Sequence, residues 1–317
     1  MAAELGGSDN PVAPLAAVVV PVGPDKEAAL DTLESVVCYC PEPHRVIIID
    51  DCTQDGTYEA LVSRRRSNWH ILRNSRPMGV GRLVHSLCSA YRFVLSQTHC
   101  RLVLRLDQDA LIIKVGVISD ALAFMLEHTD VGLFGVYSCD HNRARSFSFH
   151  TKLITTEMSW RNWFTGSRPS WARLLKLAER KGYRRGDNVF GGAYFVTRAC
   201  LAAMEQHGTF EIPYTWHSQL TEDVYFSMAT VAAGYKMGHF AAPDGPLCLD
   251  WQGLPYPAIR LAESKYKLIH SVDKGTNTDR EANGGRKPRE IFGEMRDLAV
   301  GGTRLLSRSG KDGSCVG

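Results

Sequence analysis

The chain has 317 residues, 44% of them hydrophobic and 22% charged, with a formal net charge of +3. This composition supports a sizeable buried core and excludes collagen-like, wholly disordered and coiled-coil chains. The mild basic excess does not mark nucleic acid as the main partner, and no uncharged apolar run reaches the roughly 20 residues that span a bilayer. The first 14 residues carry neither the basic nor the apolar region of a secretory signal and read as a flexible N-terminus. Nine cysteines occur without a CxxC pair. Several (Cys52, Cys88, Cys100) sit in apolar stretches, so free thiols in a reduced, cytoplasmic setting are expected.

In chain order, AAVVVPV (16–22) is a β-branched run of the kind buried in parallel sheets. Asp25 caps a helix with Ala29, Leu30, Leu33, Val36 and Val37 on one face. Strands follow at 45–50 and 69–72, then a long helix over 79–95 with Leu83, Leu87, Tyr91 and Val94 apolar. A strand at 101–106, a helix over 117–127 and a strand at 131–136 complete an alternating β-α rhythm. That rhythm predicts a doubly wound α/β sheet with ligands at the carboxyl ends of its strands. It breaks over 138–187 and resumes with a strand at 190–196 and helices over 198–207 and 222–233. Beyond Asp273 the chain is rich in glycine and charge, and 276–317 reads as a partly mobile tail with a short helix over 288–298.

Three carboxylate clusters lie where such a sheet binds ligands. Asp50 and Asp51 end the second strand, where acids accept hydrogen bonds from a ribose or base, or simply close a turn, as Asp55-Gly56-Thr57 does. Asp107-Gln108-Asp109 sits between two apolar runs, and two acids at i and i+2 offer hard oxygens to a divalent cation. Glu222 and Asp223 follow a capping Thr221, where acids complement the helix dipole; a carboxylate kept ionised there also suits a general base.

Taken in order, VVVPV (18–22), IIIDDCTQDGT (47–57), NSRPMGVGRLVHSL (74–87), LRLDQDA (104–110), GDNVFGGAYFVTR (186–198), TEDVYFSMATVAAGY (221–235) and KLIHSVDKG (267–275) resemble family-2 glycosyltransferases with the GT-A fold. The resemblance implies a single doubly wound mixed-sheet domain over 15–275, with a nucleotide-binding half (15–136) and an acceptor-binding half (137–275). It implies transfer of a sugar from a nucleotide diphosphate, a UDP-sugar on family grounds, with Mn²⁺ or Mg²⁺ and with inversion. Pro21 and Val22 would line the nucleotide pocket, Asp50 or Asp51 would contact base or ribose, and Arg82 would reach nucleotide or diphosphate. Asp107 would sit near ribose and sugar, with Gln108 counted in the donor set. Asp109 and His270 would be metal ligands, and Lys274 would face the diphosphate. Gly191 and Gly192 would allow close backbone approach, and Asp223 would be the base, positioned by Glu222. Arg82 and His85 stand where the family has small residues and an Asn, which leaves base and sugar recognition open.

The segment 160–185 combines Trp160, Trp163 and Trp171 with many cations and a single acid, Glu179. It suits an acceptor-binding platform for a sugar, a lipid-linked or a small-molecule acceptor. It equally suits an amphipathic helix over 170–181 packed through Leu174, Leu175 and Leu177, and a third role is contact with an anionic membrane. Two rival functions remain: a phosphohydrolase using the strand-end acids, and a nucleotide-sugar-binding regulator without turnover.

Overall fold

The computed structural model describes residues 14–140, 143–144, 146–164, 167–210, 218, 220–242, 245–274 and 281–309. The expected flexible N-terminus therefore lies outside the described residues except for Pro14, as do 275–280 and 310–317 of the expected tail.

The β-branched runs become central strands. β1 (Ala16–Val22), β2 (His44–Asp50), β3 (Trp69–Arg73) and β4 (Leu102–Leu106) form one parallel block. After β5 (Ala110–Ile112) come β6 (Val131–Gly135), the β7 (Cys139–Asp140) and β8 (Arg143–Ala144) ribbon, β9 (Ala193–Thr197) and β10 (Lys236–His239). The large sheet runs β10-β6-β9-β4-β1-β2-β3, with β9 antiparallel to both neighbours. It is a mixed seven-stranded sheet flanked by helices, the α/β architecture that the resemblance implies.

Alternation along the strands sends successive residues to opposite layers. Ala17, Val19, Ile47, Ile49 and Val103 pack with α3 (Leu83–Gln97), α6 (Ser167–Arg180) and α8 (Glu222–Ala232). Val18, Val20, Val46, Ile48 and Leu104 pack with α1 (Lys26–Tyr39) and α4 (Val117–Glu127). Asp25 caps α1 by accepting the Ala28 N–H at 3.0 Å. Shorter helices α2 (Thr57–Ser63), α5 (Ser148–Glu157) and α7 (Arg198–Gln206) fill the connections.

Two expected starts fall three or four residues later, each for a local reason. The helix expected from residue 79 starts at Leu83 after a 3₁₀ turn (Val80–Arg82), because the Asp51 carboxylate holds the Met78 and Gly79 N–H groups in a loop. The strand expected from 190 starts at Ala193, because Ala193 N–H bonds Gly191 O around Gly192 at φ +78°, a γ-turn that ends the loop.

A second sheet, β11-β12-β5, is built from β11 (Leu247–Leu249), β12 (Leu268–His270) and β5. Against it pack α9 (Ala258–Glu263) and α10 (Pro288–Ser309). The latter lies within the stretch expected to be a partly mobile tail with a short helix. Its helix is twice the expected length, and Ile291 and Phe292 are buried with Leu111, Leu261 and Ile269. Arg289 and Arg296 of α10 both pair with Asp31 of α1.

Phe292→Ala should lower the unfolding free energy by about 3 kcal/mol, the usual cost of emptying a buried aromatic site, read by urea denaturation. An undocked tail would leave the transition unchanged.

Candidate active site

β4 delivers the central acids. Asp107 N–H bonds Gly192 O at 2.8 Å, and Ala110 N–H bonds Asp107 O at 3.1 Å, so the loop turns tightly between β4 and β5. β12 pairs antiparallel with β5, His270 opposite Ala110, and this brings the imidazole to the acids. His270 Nε2 lies 3.1 Å from Asp109 Oδ1 and 3.8 Å from Asp107 Oδ2. One ligand atom from each of Asp107, Asp109 and His270 falls within 4.8 Å of the others. Burial alone would raise the Asp109 pKa. The hydrogen bond and charge of His270, the Ser271 hydroxyl at 2.5 Å and the charge of Lys274 instead hold it well below the usual carboxylate range. Two hard oxygens and an imidazole, preorganised by these bonds, make a group that fits a divalent cation.

Gly192 is required for this approach. A Cβ there would stand 2.7 Å from the His270 ring, and its φ of +78° already disfavours any side chain. Gly191 makes similar room for Glu222, whose Oε1 would be 3.1 Å from a Cβ. The two glycines thus accommodate protein side chains, where close approach of donor or acceptor was expected.

Behind the acids lies Arg105, 1% exposed, which the sequence reading passed over as a strand residue. Its Nη2 reaches Asp107 Oδ1 at 2.7 Å and Glu222 Oε1 at 3.1 Å, joining the strand-end cluster to the start of α8. The signal was present: an arginine in the middle of an otherwise apolar strand must find acids. Burial pushes Glu222 up to about 7, against the pull of Arg105 and with the repulsion of Asp223 and Asp107. Asp223 is gripped separately. Asn188 Nδ2 and the Thr221 hydroxyl donate to its two oxygens, and Val224 N–H adds a bond at 2.9 Å. Thr221 is the N-cap residue, but its hydroxyl serves Asp223 and makes no bond to the helix backbone.

The cluster opens on a cleft of about 570 Å³ walled by Pro21, Val22, Asp51, Gly79, Leu83, Ser86, Gln108 and Lys274. Asp51 faces it while accepting from Asn74 Nδ2, Met78 N–H and Gly79 N–H at 2.7 to 2.8 Å. Asp50 does not face it, which corrects that expectation. It is fully buried, bonded to the Thr53 hydroxyl at 2.5 Å and paired with Arg73 at 3.1 Å. Gln108 spends its side-chain amide on Gly23 N–H and Pro24 O, bracing the β1–α1 loop. Arg82 ends the 3₁₀ turn outside the cleft lining.

Of the aromatic trio, Trp160 is 67% exposed on the surface and the Trp163 side chain lies outside the described residues. Trp171 is 1% exposed and packs edge-on against Tyr225 at 5.5 Å. It belongs to the core through the amphipathic face of α6, so it is corrected as an acceptor platform.

The family model for glycosyl transferase family 2 matches residues 17–178, just over half of the chain. No curated protein sequence matches the chain. Similar solved structures include TarS of S. aureus, at 16% identity over 71% of this chain with a TM-score of 0.44. The chain spans only 34% of that TarS chain. Another is the mannosyltransferase PcManGT from Pyrobaculum calidifontis in complex with GDP-Man and Mn²⁺, at 13% identity, TM-score 0.48, covering 96% of this chain and 77% of that one. A TarS 1–349 structure matches at 16% identity and TM-score 0.34, over 68% and 70% of the two chains. The matched family segment runs from β1 through Asp107 and Asp109 into α6, and on that match the chain belongs to glycosyl transferase family 2.

Proposed function

We propose that the chain transfers a sugar from a nucleotide diphosphate, preferably a uridine diphosphate sugar, to an acceptor hydroxyl with inversion at the anomeric carbon. The observation that carries this reading is the convergence of Asp107, Asp109 and His270 at a cleft, with Arg105 bridging Asp107 to Glu222, the neighbour of Asp223 on α8.

Asp107, Asp109 and His270 would hold Mn²⁺ or Mg²⁺. When bound, the cation offsets charge on the diphosphate as it leaves. Pro21, Val22 and Asp51 form the wall against which a nucleoside would lie, and Lys274 supplies a further positive charge at the diphosphate end. Asp223 accepts the acceptor hydroxyl proton as the new carbon–oxygen bond forms and the nucleotide departs with the bonding pair. Its two oxygens are oriented by Asn188 and Thr221, so little reorganisation is needed. Glu222, anchored by Arg105, fixes the helix turn that presents Asp223. The acceptor is a sugar, a lipid-linked carrier or a small molecule bearing a hydroxyl, and exposed Trp160 offers it a stacking face. No helix of the described residues is long and apolar enough to cross a membrane.

Two outcomes test the reading. Asp109→Asn keeps the shape and removes a charge that a hard cation needs. Calorimetric Mn²⁺ affinity should fall by at least ~10-fold with the thermal midpoint retained, and unchanged affinity would remove the metal site. Asp223→Asn should keep donor affinity and lose ~10²- to 10⁴-fold in kcat, whereas Glu222→Gln should weaken acceptor binding more than turnover. Near wild-type kcat in Asp223→Asn, measured at saturating donor and acceptor, would reassign the base.

A further inference from the structure

We infer that Arg289, on the C-terminal helix α10, is a positioning residue for the cation and donor site. The inference rests on the metal reading above and adds a part of the chain that this reading does not use.

An arginine has five N–H donors in a rigid planar fork. Arg289 places all five. Nε and Nη2 grip the two oxygens of Asp273 at 2.6 Å each. Nη1 reaches Asp31 Oδ2 at 2.5 Å and Ala28 O at 3.4 Å, both on α1. Nη2 also donates to the main-chain oxygen of Gln108 at 2.8 Å. These acceptors belong to three separate segments: the first turns of α1, the midpoint of the Asp107–Asp109 loop, and the 271–274 loop between His270 and Lys274. The last two wall the cleft, which Asp273 itself lines, and α1 begins directly after Asp25 of that wall.

Such a hold is needed because the cluster is self-repelling. Asp107 and Asp109 stand two residues apart with oxygens turned toward one imidazole, and their mutual repulsion favours separation, Asp107 toward Arg105 and Asp109 toward Ser271. A guanidinium bonded to the carbonyl of the residue between them opposes that separation directly. Other braces on Gln108 come from α1 and the loop after β1: the Thr32 hydroxyl at 2.6 Å and Gly23 N–H at 2.7 Å. Arg289 ties the same residue to the far end of the chain.

Arg296 provides an internal comparison. It lies two turns further along α10, is mostly buried, and also pairs with Asp31. Its described bonds do not include the 107–109 or 271–274 loops. Docking of α10 and positioning of the loop can therefore be separated.

The experiment compares the full chain with Arg289→Lys, Asp273→Asn and Arg296→Ala. Lysine keeps the charge but cannot reproduce a bidentate fork. Hydrogen exchange on peptides covering 105–112 and 268–274 should quicken in Arg289→Lys and Asp273→Asn while the sheet strands stay protected. Mn²⁺ affinity, by calorimetry with the metal alone, should weaken ~10-fold in both, the scale seen when groups orienting ligands are removed. Arg296→Ala should lower the thermal midpoint and leave loop exchange and Mn²⁺ affinity at wild-type values. Unchanged loop exchange in Arg289→Lys, or equal loosening in Arg296→Ala, would overturn the assignment. A wild-type chain with no Mn²⁺ affinity would overturn the metal reading instead, and the exchange comparison would still decide whether Arg289 holds the loop.

Discussion

A guanidinium taken out of water must be neutralised where it sits, because an unpaired buried charge costs several kcal/mol. Arg105 therefore dictates the positions of its two partners. Asp107 is drawn back against the strand, and Glu222 is drawn in from a helix that begins far downstream in the sequence. Everything at the centre of the molecule accommodates that bridge. β9 enters antiparallel beside β4 and carries Tyr194, over whose ring the guanidinium lies at 5.6 Å. Gly191 leaves space for the Glu222 carboxylate. The first turn of α8, with Asp223, is thereby fixed relative to the strand-end acids.

The site is assembled from distant parts of the chain. The family match ends at residue 178, yet the imidazole, the α8 acids and the α10 arginines all come later. The first half supplies a sheet and two acids at a strand end, an arrangement with little specificity by itself. The later segments add the imidazole beside the two acids, the proposed base and the arginine bonded to the Gln108 carbonyl. Two hydrophobic layers on the large sheet and a third cluster under the small sheet keep these pieces in register.

Much of the fold was legible because its signals are local. β1 and α4 form with the expected ends, the first from a continuous apolar run and the second from periodicity after Gly116. The paired aspartates stood out because two acids between apolar runs need a reason. Asp50 and Asp51 could not be told apart, since neighbouring strand residues point to opposite sides and only the built sheet decides which side is the cleft. His270 was open for the same reason: its role depends on β12 pairing with β5, a contact between segments far apart in the chain. Trp171 stood between two equal readings, a stacking platform and a packed amphipathic helix, and only the built core decides, placing it inward with Leu174 and Leu175. The C-terminal helix was underestimated because its anchors are few: two apolar residues and two arginines within a polar stretch.

The pairing of β12 with β5 also limits how the chain can vary in length. In an antiparallel ladder a slip of one residue turns every side chain to the opposite face. Leu268 faces Ile112, Ile269 faces Leu111 and His270 faces Ala110, so the imidazole lies on the cleft side and Ile269 in the apolar cluster beneath. A single-residue insertion or deletion absorbed by the strand would present Ile269 to the two aspartates and drive the imidazole among Leu261, Ile291 and Phe292. Changes in length between α9 and β12 are thus tolerable only where the loop takes them up entirely, and length variation among related chains should collect on the loop side of Leu268.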